Sequence, residues 1–211
     1  MSAAQGPAAR GHLYVIAAPS GAGKTSLVKA LLARRPDIEV SVSYTTRKAR
    51  PSEVPGRDYV FIDRAGFEQL IAAGELLEYA QVYDNFYGTS RERVARALEA
   101  GRDVILEIDW QGAQQVRARL PECISIFILP PSRGTLERRL RDRRSDDEAV
   151  IARRLEEAAA EIAHWREFDY VIVNDEFAQA LDALEQIVAR NGAPWVSSRP
   201  DLEALAAGLL G

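Results

Sequence analysis

Short, continuous apolar runs recur along the chain with helix-like segments between them. Leu13–Ala17, Val104–Ile108, Ile124–Leu129 and Tyr170–Val173 read as strands. Thr25–Arg34, Gln111–Leu120, Thr135–Arg143, Val150–Trp165 and Phe177–Ala189 read as helices, with Ser132 as an N-cap and Pro130-Pro131 stopping the strand before it. Apolar strands without alternation are buried on both faces, and their regular exchange with helices predicts an α/β fold: a parallel sheet flanked by helices.

Two regions break this rhythm. Val40 to Tyr87 carries alternating, aromatic-bearing segments such as Tyr59-Val-Phe-Ile and Leu76-Leu-Glu-Tyr, with one short helix near Phe67–Ala73 and with Pro51, Pro55 and Gly56 in its turns. It reads as an inserted, mostly antiparallel lobe. Arg138 to Arg154 is densely charged and reads as a mobile flap joining two helices. The expected organisation is a tail over 1–12, one domain over 13–191 and a second tail over 192–211. Within the domain the core is 13–39 and 90–191, the lobe 40–89 and the lid about 138–154.

Composition narrows the function classes. A net charge of −4 over 211 residues gives no general affinity for nucleic acid, so any anion site must be local. Cys123 is the sole cysteine and sits in an apolar strand, so the expectation is a buried thiol, no disulfide and a reducing, cytoplasmic setting. No apolar run has the length of a membrane span, and Met1 to Arg10 lacks the apolar stretch of a secretion signal. After Gly192, Pro194 and Pro200 among scattered apolar residues suggest a partly ordered end or a contact in a homo-oligomer.

The sharpest chemical signal follows the first strand. Ala18, Pro19, Ser20, Gly21, Ala22, Gly23, Lys24 and Thr25, with Ser26 after them, form a glycine-rich turn between strand and helix. Backbone N–H groups of such a turn converge on phosphate oxygens, and the helix start adds a positive dipole end. Lys24 would neutralise the outer phosphates, and the Thr25 hydroxyl would ligate Mg²⁺. Ala18 stands where the full pattern has glycine, which requires a negative φ there.

Three further groups stand out. Arg47 and Arg50 offer two guanidinium forks suited to a second phosphate, with Tyr59 and Tyr87 as added donors; an arginine pair in a polar loop can equally be a solvated face. Glu78 interrupts an apolar strand, and Asp109 follows the strand Val104–Ile108. A carboxylate can accept both N1–H and N2–H of guanine, whereas adenine would leave it unmatched; the other reading pairs Glu78 with an arginine. Arg139, Arg143 and Arg154 on the flap either stabilise a transferring phosphoryl group or balance Asp146, Asp147 and Glu148. His12 and His164 have no metal spacing around them, and Trp110 and Trp165 read as packing residues.

Together these segments resemble the guanylate kinase family. The resemblance runs from about Leu13 to Val188, through Ser41 to Arg50, Gly56 to Tyr59, Asn85 to Ser90, Glu107 to Ala113, Phe127 to Ser132 and Val171 to Asp175. It implies a P-loop core with a GMP-binding lobe and a lid, and transfer of the ATP γ-phosphoryl group to GMP with Mg²⁺. By the same resemblance Arg47, Arg50, Tyr59 and Tyr87 hold the GMP phosphate, and Ser43, Glu78, Thr89 and Asp109 contact guanine. Arg139, Arg143 and Arg154 correspond to lid arginines, Asn174 lies towards the donor adenine, and Glu107 stands where the family has an aspartate in the metal's shell. Arg143-Arg144 replaces an Arg-Gly pair, and Lys48-Ala49 departs from the usual residues before Arg50. Two other readings remain at this point: a non-catalytic module binding phosphorylated partners through Arg47 and Arg50, and a kinase of a phosphorylated sugar. A P-loop GTPase is disfavoured, because no Asn-Lys-x-Asp element reads guanine in the donor site.

Overall fold

The computed structural model describes residues 10–82, 84–142 and 148–211. The chain opens with β1 (Leu13–Ala17), α1 (Lys24–Arg34) and β2 (Glu39–Val40). The inserted region follows as β3 (Tyr44–Thr45), β4 (Val60–Phe61), α2 (Arg64–Ala72), β5 (Leu76–Val82) and β6 (Asn85–Ser90). It continues with α3 (Arg91–Glu99), β7 (Val104–Glu107), α4 (Trp110–Arg119), β8 (Ile124–Leu129), α5 (Arg133–Arg141) and α6 (Glu148–Ile162). The last elements are β9 (Tyr170–Val173), α7 (Phe177–Val188) and α8 (Asp201–Leu210).

Five strands form one sheet in the order β2-β7-β1-β8-β9. β2 pairs parallel with β7, and β8 with β9. The bonds from Val104 N–H to His12 C=O and from Ile108 N–H to Ile16 C=O advance in the same sense, so β7 and β1 are parallel as well. All of β1 is buried, as are Ile105, Leu106, Ile126 to Leu129, Val171 and Ile172. That is the two-sided burial the unbroken apolar runs predict, with each such side chain contributing about 1.5–3 kcal/mol. The second sheet, β4-β3-β6-β5, is antiparallel at β3–β6 and β5–β6 and parallel only at the short β3–β4 contact. The inserted region is thus mostly antiparallel, as expected.

The chain divides into two compact units. The first holds the described part of Met1–Val15 with Pro36–Leu106 and Gln111–Ile124, and the second holds Ile16–Arg35, Glu107–Trp110 and Ser125–Gly211. Two further helices lie outside the segments that the apolar pattern marks as helical. In α3, Ser90 caps the start by accepting from Arg93 N–H, and Val94, Ala97 and Leu98 bury one face. In α8, Leu202, Ala206 and Leu209 are buried within the chain itself, so much of the segment after Gly192 is ordered. Of the tail expected over 1–12, residues 1–9 lie outside the described residues, and Gly11 N–H donates to Leu98 C=O at 2.9 Å. Cys123 is buried and forms no disulfide. Among the described residues no helix is long and apolar enough to cross a membrane.

Candidate active site

The glycine-rich turn lies in the second unit, between β1 and α1. Gly21 and Gly23 take φ of 90° and 96°, whereas Ala18 stays out of the positive-φ region, which is why alanine is tolerated there. A Cβ on Gly23 would meet Asn174 Nδ2 at 2.4 Å. Helix α1 begins with no side-chain cap and no acid in its first turn. Its leading N–H groups therefore keep their capacity to receive an anion, and Lys24 adds a positive charge there. Thr25 and Ser26 are on that first turn, both exposed.

The turn is braced from behind. Buried Asn174 donates through Nδ2 to Ala22 C=O at 2.7 Å, and its own backbone carbonyl accepts from Arg139 Nη2 at 3.0 Å. Asn174 Oδ1, on the amide expected towards the donor adenine, is buried without a hydrogen-bond partner among the described residues. Arg139 Nη1 is buried without a hydrogen-bond partner among the described residues, a donor available to a ligand. Lys24 Nζ donates to Ile108 C=O at 2.9 Å, beyond the end of β7, where Glu107 and Asp109 are half-buried. Glu161, on α6, accepts from Ser20 N–H at 3.2 Å. Burial pushes its carboxyl up to about 7, against the opposing pull of Lys24 and the Ser20 N–H, with Asp109 adding to the rise. Arg154 is half-buried on α6, and Arg143 lies outside the described residues. Trp110 stacks on His164 with ring centroids 3.6 Å apart, in keeping with a packing role.

The first unit carries a different cluster. Thr45, buried at the end of β3, donates to Phe86 C=O at 3.0 Å and accepts from Arg47 N–H at 3.2 Å, fixing where the Arg47 side chain departs. The Arg47 guanidinium makes a bidentate pair with Glu53, at 2.9 and 2.8 Å, and lies over Tyr59 at 5.2 Å from the ring centroid. The Glu53 pair, followed by Tyr87, raises the Arg47 pKa and overcomes desolvation; reciprocally, Arg47 lowers that of Glu53. Tyr59 and Tyr87 meet edge to face with centroids 6.1 Å apart. Arg50 joins through its backbone N–H, which donates to Glu53 at 2.8 Å, while its side chain is exposed. Ser43 C=O accepts from Val60 N–H at 2.9 Å.

Glu78 is buried in β5 and accepts from the Thr89 hydroxyl at 2.6 Å. The predicted residues of this unit thus form two pieces: Arg47, Arg50, Tyr59 and Tyr87 around Glu53, and Glu78 with Thr89. Asp109 belongs to the other unit, where it acts electrostatically on Glu161. Glu53 and Glu161 escaped sequence reasoning. An acid three residues beyond Arg50 in an arginine-rich loop was the available sign for Glu53. Glu161 carries no such sign, since its position on α6 matches that of any helix carboxylate.

A phosphate-receiving strand–turn–helix on a parallel sheet, in one chain with a lobe bearing paired arginine and buried acid, defines a P-loop nucleotide kinase. The family model described as "Guanylate kinase" matches residues 10–191. A guanylate kinase of Methylococcus capsulatus is 58% identical over 202 residues, covering 96% of this chain and 99% of that protein. One from Escherichia coli K12 is 53% identical over 182 residues, covering 85% and 88%. The crystal structure of guanylate kinase from Anaplasma phagocytophilum superposes with a TM-score of 0.73 at 37% identity, over 87% of each chain. The chain belongs to the guanylate kinase family and is an enzyme, a nucleoside monophosphate kinase. The non-catalytic module and the sugar-phosphate kinase are not favoured.

Proposed function

We propose that this enzyme transfers the γ-phosphoryl group of ATP to GMP, releasing ADP and GDP in the cytoplasm. The core over 13–39 and 90–191 takes ATP, the lobe over 40–89 takes GMP and the lid spans about 138–154. The turn amides and the start of α1 hold the outer phosphates of ATP, with Lys24 moving from Ile108 C=O to phosphate oxygen. In this reading the Thr25 hydroxyl would ligate Mg²⁺ with Glu107 in the metal's shell, a hard oxygen donor set that suits that ion, and the metal would screen the phosphate charge. Arg139 supplies a donor to the equatorial oxygens, joined in this reading by Arg143 and Arg154. Arg47, Arg50, Tyr59 and Tyr87 hold the GMP phosphate; Ser43, Glu78, Thr89 and Asp109 read the base. The phosphate monoester oxygen is already an anionic nucleophile near neutral pH, so positioning and charge stabilisation carry the rate.

The observation that carries this reading is the buried Glu78 with its Thr89 donor. A carboxylate accepts two adjacent N–H donors, which the guanine edge presents side by side and the adenine edge does not. The test is to follow a γ-labelled ATP phosphoryl group with GMP present. The label should appear as the β-phosphate of GDP in step with ADP; label released as inorganic phosphate would overturn the reading.

A further inference from the structure

Glu78 is held by more than its ladder. β5 is an edge strand, paired with β6 on one side only. The register shifts between Leu76, opposite Ser90, and Glu78, opposite Thr89, so Leu77 is an extra residue with no partner in the ladder. Such a bulge re-aims the neighbouring side chain and leaves backbone groups to be satisfied elsewhere. Helix α4 satisfies them. Arg119 donates through Nη1 to Leu77 C=O. Gln115 closes on Tyr79 from both sides, accepting from its N–H at 3.2 Å and donating to its C=O at 2.6 Å.

The spacing explains the fit. Residues four apart on a helix lie on one face about 6 Å apart, and residues two apart on a strand are separated by about 6.6 Å. Gln115 and Arg119 therefore match Tyr79 and Leu77, the two residues that flank Glu78. They act as a surrogate strand on the edge that β6 leaves open.

We infer that Gln115 and Arg119 are positioning residues for guanine selection, holding the Leu77 bulge that aims Glu78 at Thr89 and at the base. This rests on the reading of Glu78 as the guanine acceptor. Without Arg119 the bulge can slip, and a one-residue slip turns Glu78 to the other face of the sheet. Neither residue touches substrate in this reading. Their effect is to pass through Glu78 alone.

The test uses the full chain with Arg119→Ala, Arg119→Lys, Gln115→Ala, Glu78→Ala and the Glu78→Ala/Arg119→Ala double variant. Kinetics with GMP, AMP and ATP are read beside thermal melting. Arg119→Ala should lower the ratio of kcat/KM for GMP over AMP by about tenfold, with the KM for ATP within about twofold of wild type. Arg119→Lys, which keeps a donor for Leu77 C=O, should recover most of that ratio, and Gln115→Ala should lose about half as much on a logarithmic scale. On the Glu78→Ala background the Arg119→Ala change should have no further effect on selectivity. If Glu78→Ala abolishes selectivity but Arg119→Ala and Gln115→Ala leave it intact, the inference is wrong and the guanine reading stands. If Glu78→Ala itself keeps full selectivity, the guanine reading is wrong. Should Arg119→Ala fail to fold, Arg119→Lys and Gln115→Ala decide the question: unchanged selectivity in Gln115→Ala, or equal changes in the ATP and GMP constants, would overturn the proposal.

Discussion

Arg47 and Glu53 form a bidentate pair, 2.8 and 2.9 Å, with side chains only 16% and 14% exposed. The same carboxylate takes the backbone N–H of Arg50, so one acid ties together both arginines assigned to the GMP phosphate. A guanidinium fork held in this way loses less freedom when a phosphate arrives. Glu53→Ala is expected to raise the KM for GMP about tenfold while leaving that for ATP nearly unchanged, as steady-state kinetics would reveal. Equal changes in both constants would contradict the role.

Asn174 braces the phosphate turn through Ala22 C=O. Asn174→Ala leaves that buried carbonyl without its donor, at about 1–3 kcal/mol, and should raise the KM for ATP more than that for GMP. Denaturant unfolding and initial rates check both parts. Gly23→Ala should be more severe, because φ of 96° and a 2.4 Å approach to Asn174 Nδ2 oppose any side chain. A fully active Gly23→Ala variant would contradict the geometry.

Lys24 carries the one side-chain cation on the first turn of α1. Lys24→Ala should cut kcat by two or more orders of magnitude, given the charge that it stabilises, with little change in GMP binding. Rapid-quench measurement of the chemical step reads this directly. A modest fall, within about threefold, would place the charge stabilisation elsewhere.

Glu161 gives the fold a pH dependence of known sign. Its carboxyl is raised from the ordinary 4.5 to about 7, so between those values the folded chain binds more protons than the unfolded one. This contribution to stability is complete below about pH 4, declines as pH rises through about 7 and is lost above that. Glu161→Gln removes the titration. The variant should melt at roughly the wild-type temperature near pH 4–5 and several degrees higher near pH 8, from a difference on the order of 2–3 kcal/mol. Parallel wild-type and variant melting curves across that range would refute it.

The parallel sheet was legible because Leu13–Ala17, Ile124–Leu129 and Tyr170–Val173 are apolar at nearly every position, a pattern that two-sided burial explains. The phosphate turn was legible because glycine and lysine spacing carries its own stereochemistry. Helix α3 carries both signals, Ser90 as cap and Val94, Ala97 and Leu98 on one face, but its arginines mask the stripe. Helix α8 has three buried positions, Leu202, Ala206 and Leu209, in a segment that Pro194 and Pro200 made irregular to the eye. At the site, residue types announced Lys24, Arg47 and Glu78. The partners Glu53, Asn174 at Ala22 and Gln115 at Tyr79 were silent, because each contact depends on tertiary placement rather than spacing.

The central claim is that this kinase selects its acceptor through Glu78 and Thr89. ADP release measured across GMP, AMP, CMP and UMP, at matched ATP and Mg²⁺, tests it most directly. The account predicts rapid turnover with GMP, with kcat/KM for the other three lower by roughly 10³-fold or more, and a collapse of that gap in Glu78→Ala. Comparable turnover of AMP and GMP by the wild-type enzyme would contradict it.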